Sequence, residues 1–184
     1  LNLPNKLTVI RMCLVPVFLV FFYFESIPFN YAFALIIFAA ASFTDMMDGR
    51  IARSRGLVTN FGKFLDPIAD KILVCSALIA FAEHGMAFSI SVILVVARDF
   101  IISGIRQIAA ETGKVIAANI WGKIKTALQM LYIMISLLIA EIAKTSSSPN
   151  ALLSAVKYAS LAVAAVTLLS AIVYVKDNSS LLKG

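Results

Sequence analysis

The sequence predicts an all-α integral membrane protein of six transmembrane helices, with both termini on the cytoplasmic side. Three observations carry that expectation. Hydrophobic residues make up 61% of the 184 and charged residues only 14%, too few to clothe a soluble domain of this size. Apolar runs close to the roughly 20 residues that a helix needs to cross hydrocarbon recur along the whole chain. Basic residues gather at every second connection, which orients the spans.

The spans fall at about residues 8–24, 31–53, 64–82, 87–110, 120–143 and 151–174. In the second, the apolar stretch to Ser42 continues into a charged segment; the third begins among acids and turns apolar. Connections are short and marked by breakers: Pro28 and Asn30, Gly85, Gly113, and the run from Ser146 to Asn150. Residues 1–184 are therefore expected to form one compact membrane domain without a soluble appendage. Small residues such as Ala39 to Ala41, Ser42, Ala155 and Ala159 are read as ordinary close helix packing. The first apolar run lacks a small-residue cleavage site and is followed by further spans, so it is not read as a removable signal.

Orientation follows from charge. The first, third and fifth connections hold a single basic residue, Lys144. Lys6 and Arg11 mark the amino terminus; Arg50, Arg53, Arg55 and Lys63 the second connection; Lys114, Lys123 and Lys125 the fourth; Lys176 and Lys183 the tail. The net charge of +6 reads as cytoplasmic loops and anionic lipid or phosphate ligands, with no nucleic-acid partner. Cys13 and Cys75 lie far apart in apolar runs and are read as buried small side chains, not as a disulfide or metal ligands. His84, alone at a helix end, is read as a loop residue.

Four aspartates stand where the second and third spans meet, in Asp45-Met-Met-Asp48-Gly49-Arg50-Ile-Ala52-Arg53 and, eight residues on, Gly62-Lys-Phe-Leu-Asp66-Pro-Ile-Ala-Asp70. Spacings of three and four put each pair on one face of its helix. One acid inside a span costs about 2.5–3.5 kcal/mol on insertion scales, and converging acids also repel one another. Arg50 and Arg53 would neutralise part of that charge, and an interspan salt-bridge network is the structural alternative. Divalent cations are the more economical answer: hard oxygen donors without His or Cys suit Mg²⁺ or Mn²⁺. Gly49 and Gly62 would let a phosphate approach the backbone, Ala52 is small, and Arg53 suits a diphosphate.

The pattern D-x2-D-G-x2-A-R-x8-G-x3-D-x3-D is complete at Asp45, Asp48, Gly49, Ala52, Arg53, Gly62, Asp66 and Asp70. It resembles the signature of the CDP-alcohol phosphatidyltransferase family. The opening Asn2-Leu-Pro-Asn-Lys-Leu-Thr8-Val-Ile-Arg11, the segments Ala97-Arg98-Asp99-Phe100 and Ser103-Gly-Ile-Arg106, and Gly122-Lys123-Ile-Lys125-Thr126 extend the likeness over most of residues 2–130. They are similar to the bacterial branch of the family that takes glycerol 3-phosphate; the last span is generic. Asp99 departs from it, since members often carry Glu there. The resemblance implies two divalent ions, Mg²⁺ or Mn²⁺, on Asp45, Asp48, Asp66 and Asp70, with Asp70 also the base for the acceptor hydroxyl. It implies CDP binding by Thr8, Asp48, Gly49, Ala52, Arg53 and Gly62, and transfer of a phosphatidyl group from CDP-diacylglycerol with release of CMP. It further implies a homodimer in the bacterial cytoplasmic membrane, with the active site on the cytoplasmic side.

The acceptor is read from cations outside the motif. Arg98 and Arg106 are eight apart, on one face of the fourth span, whereas Lys123 and Lys125, two apart, do not share a face. A basic residue inside a span needs a partner, and a phosphate dianion is a good one. Pairing of Arg98 with Asp70 or Glu111 is the structural alternative. Arg98, Arg106, Lys123 and Lys125 are thus expected to hold an acceptor phosphate, which favours glycerol 3-phosphate over cationic alcohols and leaves inositol phosphate open. Two other classes compete: an intramembrane prenyltransferase, usually longer and with separated acidic motifs, and a divalent-cation channel or transporter, disfavoured because the acids sit at one membrane face beside arginines.

Overall fold

The computed structural model describes residues 3–54, 60–111 and 120–178, with side chains except at 3–4, 45–54, 60–67, 70, 108 and 110–111. The described residues form six helices: α1 (Leu3–Tyr23), α2 (Asn30–Ser54), α3 (Asn60–Glu83), α4 (Ser89–Glu111), α5 (Ile120–Ala143) and α6 (Pro149–Asp177). The expected segments and the observed helices agree to within a few residues, because each breaker ends an apolar run.

Three helices are long and apolar enough to cross a membrane among the described residues: Asn5–Tyr23, Ile120–Ala143 and Pro149–Asp177. Asn30–Thr44 is a shorter apolar stretch. The other helices carry the charges, Asp45 to Arg53 in α2, Asp66 to Lys71 in α3, and Arg98, Asp99 and Arg106 in α4. Of these, α3 has 24 residues and α4 has 23.

The helices close into a ring. α1 packs against α2 and α3, α5 against α2 and α6, and α4 against α3 and α6. Phe18, Phe22, Phe38 and Phe81 are fully buried at its centre, with Phe22 stacked 6.0 Å from Phe18 and 5.6 Å from Phe81. The outer surface is equally apolar: Ile36, Ile79, Ile101, Leu131, Ile135 and Ile172 are exposed. A helix apolar on both sides packs inward and meets lipid outward. For that reason the expectation of two buried cysteines fails in part. Cys13 is exposed and Cys75 half-buried, because an apolar run in such a bundle need not face the core.

One end of the bundle is tied across helices. The Glu141 carboxylate accepts from the backbone N–H groups of Tyr31 (3.0 Å) and Ala32 (3.3 Å), capping α2 from α5. Lys144 donates to Glu141 at 3.1 Å and also to the Asn30 side chain. The Tyr23 hydroxyl donates to Glu83, and the Tyr132 hydroxyl to the Met86 carbonyl at 3.0 Å. His84 lies in the α3–α4 turn, edge-on to Phe22 at 4.8 Å, while Gly85 beside it takes a φ of +69° that suits glycine. The α1–α2, α3–α4 and α5–α6 turns therefore share one end.

Candidate active site

The aspartate motif lies towards the other end. Asp45, Asp48, Gly49, Ala52 and Arg53 fall in the second half of α2, and Gly62, Asp66 and Asp70 in the first half of α3. Both acidic pairs lie within continuous helix, the condition under which spacings of three and four repeat on one face. How the two pairs face one another lies outside the described side chains. Among the described ones, no group of three His, Cys, Asp or Glu comes together.

α1 brings a polar stripe to these helices. Asn5, Thr8 and Arg11 are buried at three-residue intervals, continuous with the buried apolar face of Val15, Phe18 and Phe22. Since α1 packs against α2 and α3, that face is covered by the two helices that carry the motif. Thr8, assigned by resemblance to the CDP head, is among the most deeply buried residues. Arg11, counted above as a flanking surface charge, is also fully buried. A charge so placed is sustained only by polar partners, and none of the three residues lacks one. The three-residue spacing from Asn5 to Arg11 is the signal that sequence reasoning passed over.

The four cations expected at the acceptor site separate into two kinds. Lys125 is buried and Arg98 nearly so, with 10% of its side chain exposed. Arg106 and Lys123 are exposed. Lys125 Nζ donates to both Asp99 oxygens at 2.6 and 2.7 Å, and an Arg98 terminal nitrogen approaches Oδ1 at 3.3 Å. Arg98 thus engages its chain neighbour; the side chains of Asp70 and Glu111, weighed as its partners from sequence, lie outside the described residues. Two cations meet at the Asp99 carboxylate, and Lys125 has a further partner besides. A cavity of about 30 Å³ opens beside them, lined by Lys71, Cys75, Asp99, Lys125, Thr126 and Gln129. It joins α3, the helix of Asp66 and Asp70, to α4 and α5.

A family model for CDP-alcohol phosphatidyltransferase matches residues 1–170. The chain belongs to that family. It is 44% identical over 148 residues to the CDP-diacylglycerol--glycerol-3-phosphate 3-phosphatidyltransferase of Bacillus subtilis (strain 168), covering 74% of this chain and 77% of the relative. A protein of the same name from Haemophilus influenzae (strain ATCC 51907 / DSM 11121 / KW20 / Rd) is 43% identical over 136 residues, 71% of this chain and 72% of its own length. Another, from Wigglesworthia glossinidia brevipalpis, is 38% identical over 172 residues, 86% of this chain and 93% of its own.

Family membership makes the chain a phosphatidyltransferase. The α2–α3 acids supply hard oxygen donors without His or Cys, a set that fits Mg²⁺ or Mn²⁺ rather than softer metals. The Arg98–Asp99–Lys125 cluster supplies fixed positive charge next to α3.

Proposed function

We propose that this chain transfers the phosphatidyl group of CDP-diacylglycerol to glycerol 3-phosphate, giving phosphatidylglycerol phosphate and CMP. The observation that carries the reading is the complete aspartate motif in a chain 38–44% identical, over most of its length, to proteins named for that reaction.

Asp48, Gly49, Ala52, Arg53 and Gly62, with Thr8 from α1, bind the CDP head. Arg53 suits the diphosphate by charge-assisted hydrogen bonds, and the glycines let phosphate approach the backbone. Asp45, Asp48, Asp66 and Asp70 hold two divalent cations, Mg²⁺ or Mn²⁺, which when bound supply positive charge to the diphosphate and to the departing CMP. Arg98, Arg106, Lys123 and Lys125 hold the phosphate of the acceptor; the Asp99 carboxylate, bonded to Lys125 and Arg98, supports this by fixing two of them in place. Asp70 takes the proton of the acceptor hydroxyl as its oxygen attacks the β-phosphorus of CDP-diacylglycerol. The new P–O bond forms to glycerol 3-phosphate, the bond to CMP breaks, and CMP leaves with the electron pair.

The setting follows the same reading. Residues 1–184 form one domain of six spans in the bacterial cytoplasmic membrane, as a homodimer, with both termini and the site on the cytoplasmic side. A site near that surface keeps the nucleotide in water and the acyl chains in lipid. The distribution of basic residues supports this orientation.

The test is purified protein with CDP-diacylglycerol and either glycerol 3-phosphate or inositol phosphate, with and without EDTA. CMP and phosphatidylglycerol phosphate are expected from the first acceptor alone, abolished by EDTA and restored by Mg²⁺ or Mn²⁺. Transfer to inositol phosphate alone overturns the acceptor, and ion flux without CMP release overturns the enzyme.

A further inference from the structure

α6 reads from sequence as a generic apolar span, yet its buried face carries polar residues among Val156, Val163 and Ala164. Ser160, Thr167, Ser170 and Tyr174 are all buried along it. Three of the four are accounted for locally. Ser160 donates to the Lys157 carbonyl at 2.6 Å, Thr167 to Val163 at 2.7 Å and Ser170 to Thr167 at 2.9 Å. Tyr174 is different: among the described residues its hydroxyl oxygen is buried without a hydrogen-bond partner, although the residue is only 5% exposed. Arg98 Nε is in the same condition. A buried donor without an acceptor costs about 1–3 kcal/mol, and native chains seldom leave one without a reason.

Register brings Tyr174 towards the cations of α4. α4 and α6 both lead away from the tied end of the bundle and pack against one another. The Ser91 and Ser160 hydroxyls, 3.3 Å apart, set a common level. Arg106 lies 15 residues beyond Ser91 and Tyr174 lies 14 beyond Ser160. At 1.5 Å per residue each is roughly 21–22 Å further on, so they stand level. Arg98, 7 residues beyond Ser91, stands midway along α4.

We infer that the Tyr174 hydroxyl and Arg98 Nε are donors for the acceptor's phosphate, so that α6 contributes a binding residue to a subsite otherwise built from α4 and α5. The inference rests on the proposed acceptor-phosphate reading and extends it to a residue outside every segment that carries the family resemblance. An oxyanion supplies what both orphaned atoms need: several acceptor lone pairs and a negative charge. A phenol adds a directed donor without a further positive charge, beside the Arg98–Asp99–Lys125 cluster. It would bind substrate and take no part in proton transfer.

The test compares Tyr174→Phe with Arg106→Ala in purified full-length protein. The readouts are the KM for glycerol 3-phosphate, the KM for CDP-diacylglycerol, and thermal unfolding. Tyr174→Phe is expected to raise the glycerol 3-phosphate KM about tenfold, the scale of one hydrogen bond to a charged group. The CDP-diacylglycerol KM and the unfolding temperature should not move, a split that a merely structural tyrosine would not produce. If Arg106→Ala raises the acceptor KM and Tyr174→Phe does not, the role of Tyr174 is overturned and the acceptor site stands. An acceptor KM unmoved by either variant overturns both. Equal rises in the two substrates' KM values with Tyr174→Phe also overturn the inference, as general damage to the bundle.

Discussion

Lys125 on α5 and Asp99 on α4 form a two-pronged ion pair, one ammonium bonded to both carboxylate oxygens, with Arg98 closing on the same group. Asp99→Asn leaves two enclosed cations with a neutral amide. Breaking a buried pair costs about 3–5 kcal/mol, and because Lys125 keeps another partner the lower end applies. Thermal unfolding in detergent should show a loss of about 3 kcal/mol on that scale, and Asp99→Glu should recover most of it. A fully stable Asp99→Asn protein would mean that the pair does not organise the α4–α5 contact.

Asp70→Asn should separate activity from folding. Removing a general base typically costs about 10²–10⁴-fold in rate. Here kcat should fall within that range while the unfolding temperature holds or rises, since the repulsion between Asp70 and Asp66, four residues apart on one helix, is relieved. Single-turnover CMP release reads the rate directly. Wild-type turnover by Asp70→Asn would remove it from the proton transfer.

Tyr132→Phe is the complementary variant. It deletes the hydrogen bond to the Met86 carbonyl at the tied end of the bundle, worth about 1 kcal/mol. A small drop in unfolding temperature is expected, with both KM values unchanged.

Orientation can be read by labelling. In a Cys13→Ser, Cys75→Ser background, Ser147→Cys in the α5–α6 turn should react with an impermeant maleimide on intact cells. Asp177→Cys, at the end of α6, should react only after permeabilisation. The reverse pattern would invert the proposed topology.

Helix positions were legible in the sequence because each apolar run is ended by its own breaker, and the motif because eight identities stand at fixed gaps. Neither depends on distant residues. What stayed hidden depends on the far neighbour. Asp99 and Lys125 are 26 positions apart, and no local pattern pairs them. Arg11 looked like a flanking charge, since proximity to the terminus says nothing of which helix covers it. Cys13 was misplaced because apolar surroundings do not tell lipid from core. Tyr174 escaped notice because α6 is apolar almost all round, so hydrophobicity does not tell its buried face from its exposed one.

The cross-helix bonds at one end have a mechanical consequence. Tyr23 with Glu83, Glu141 with the start of α2, and Lys144 with Asn30 join helices that are not consecutive. Those fastenings act as the palm of a hand, and the six helices as its fingers. The bracing bonds and the aspartate motif are thereby segregated along the bundle, the first at one end and the second towards the other.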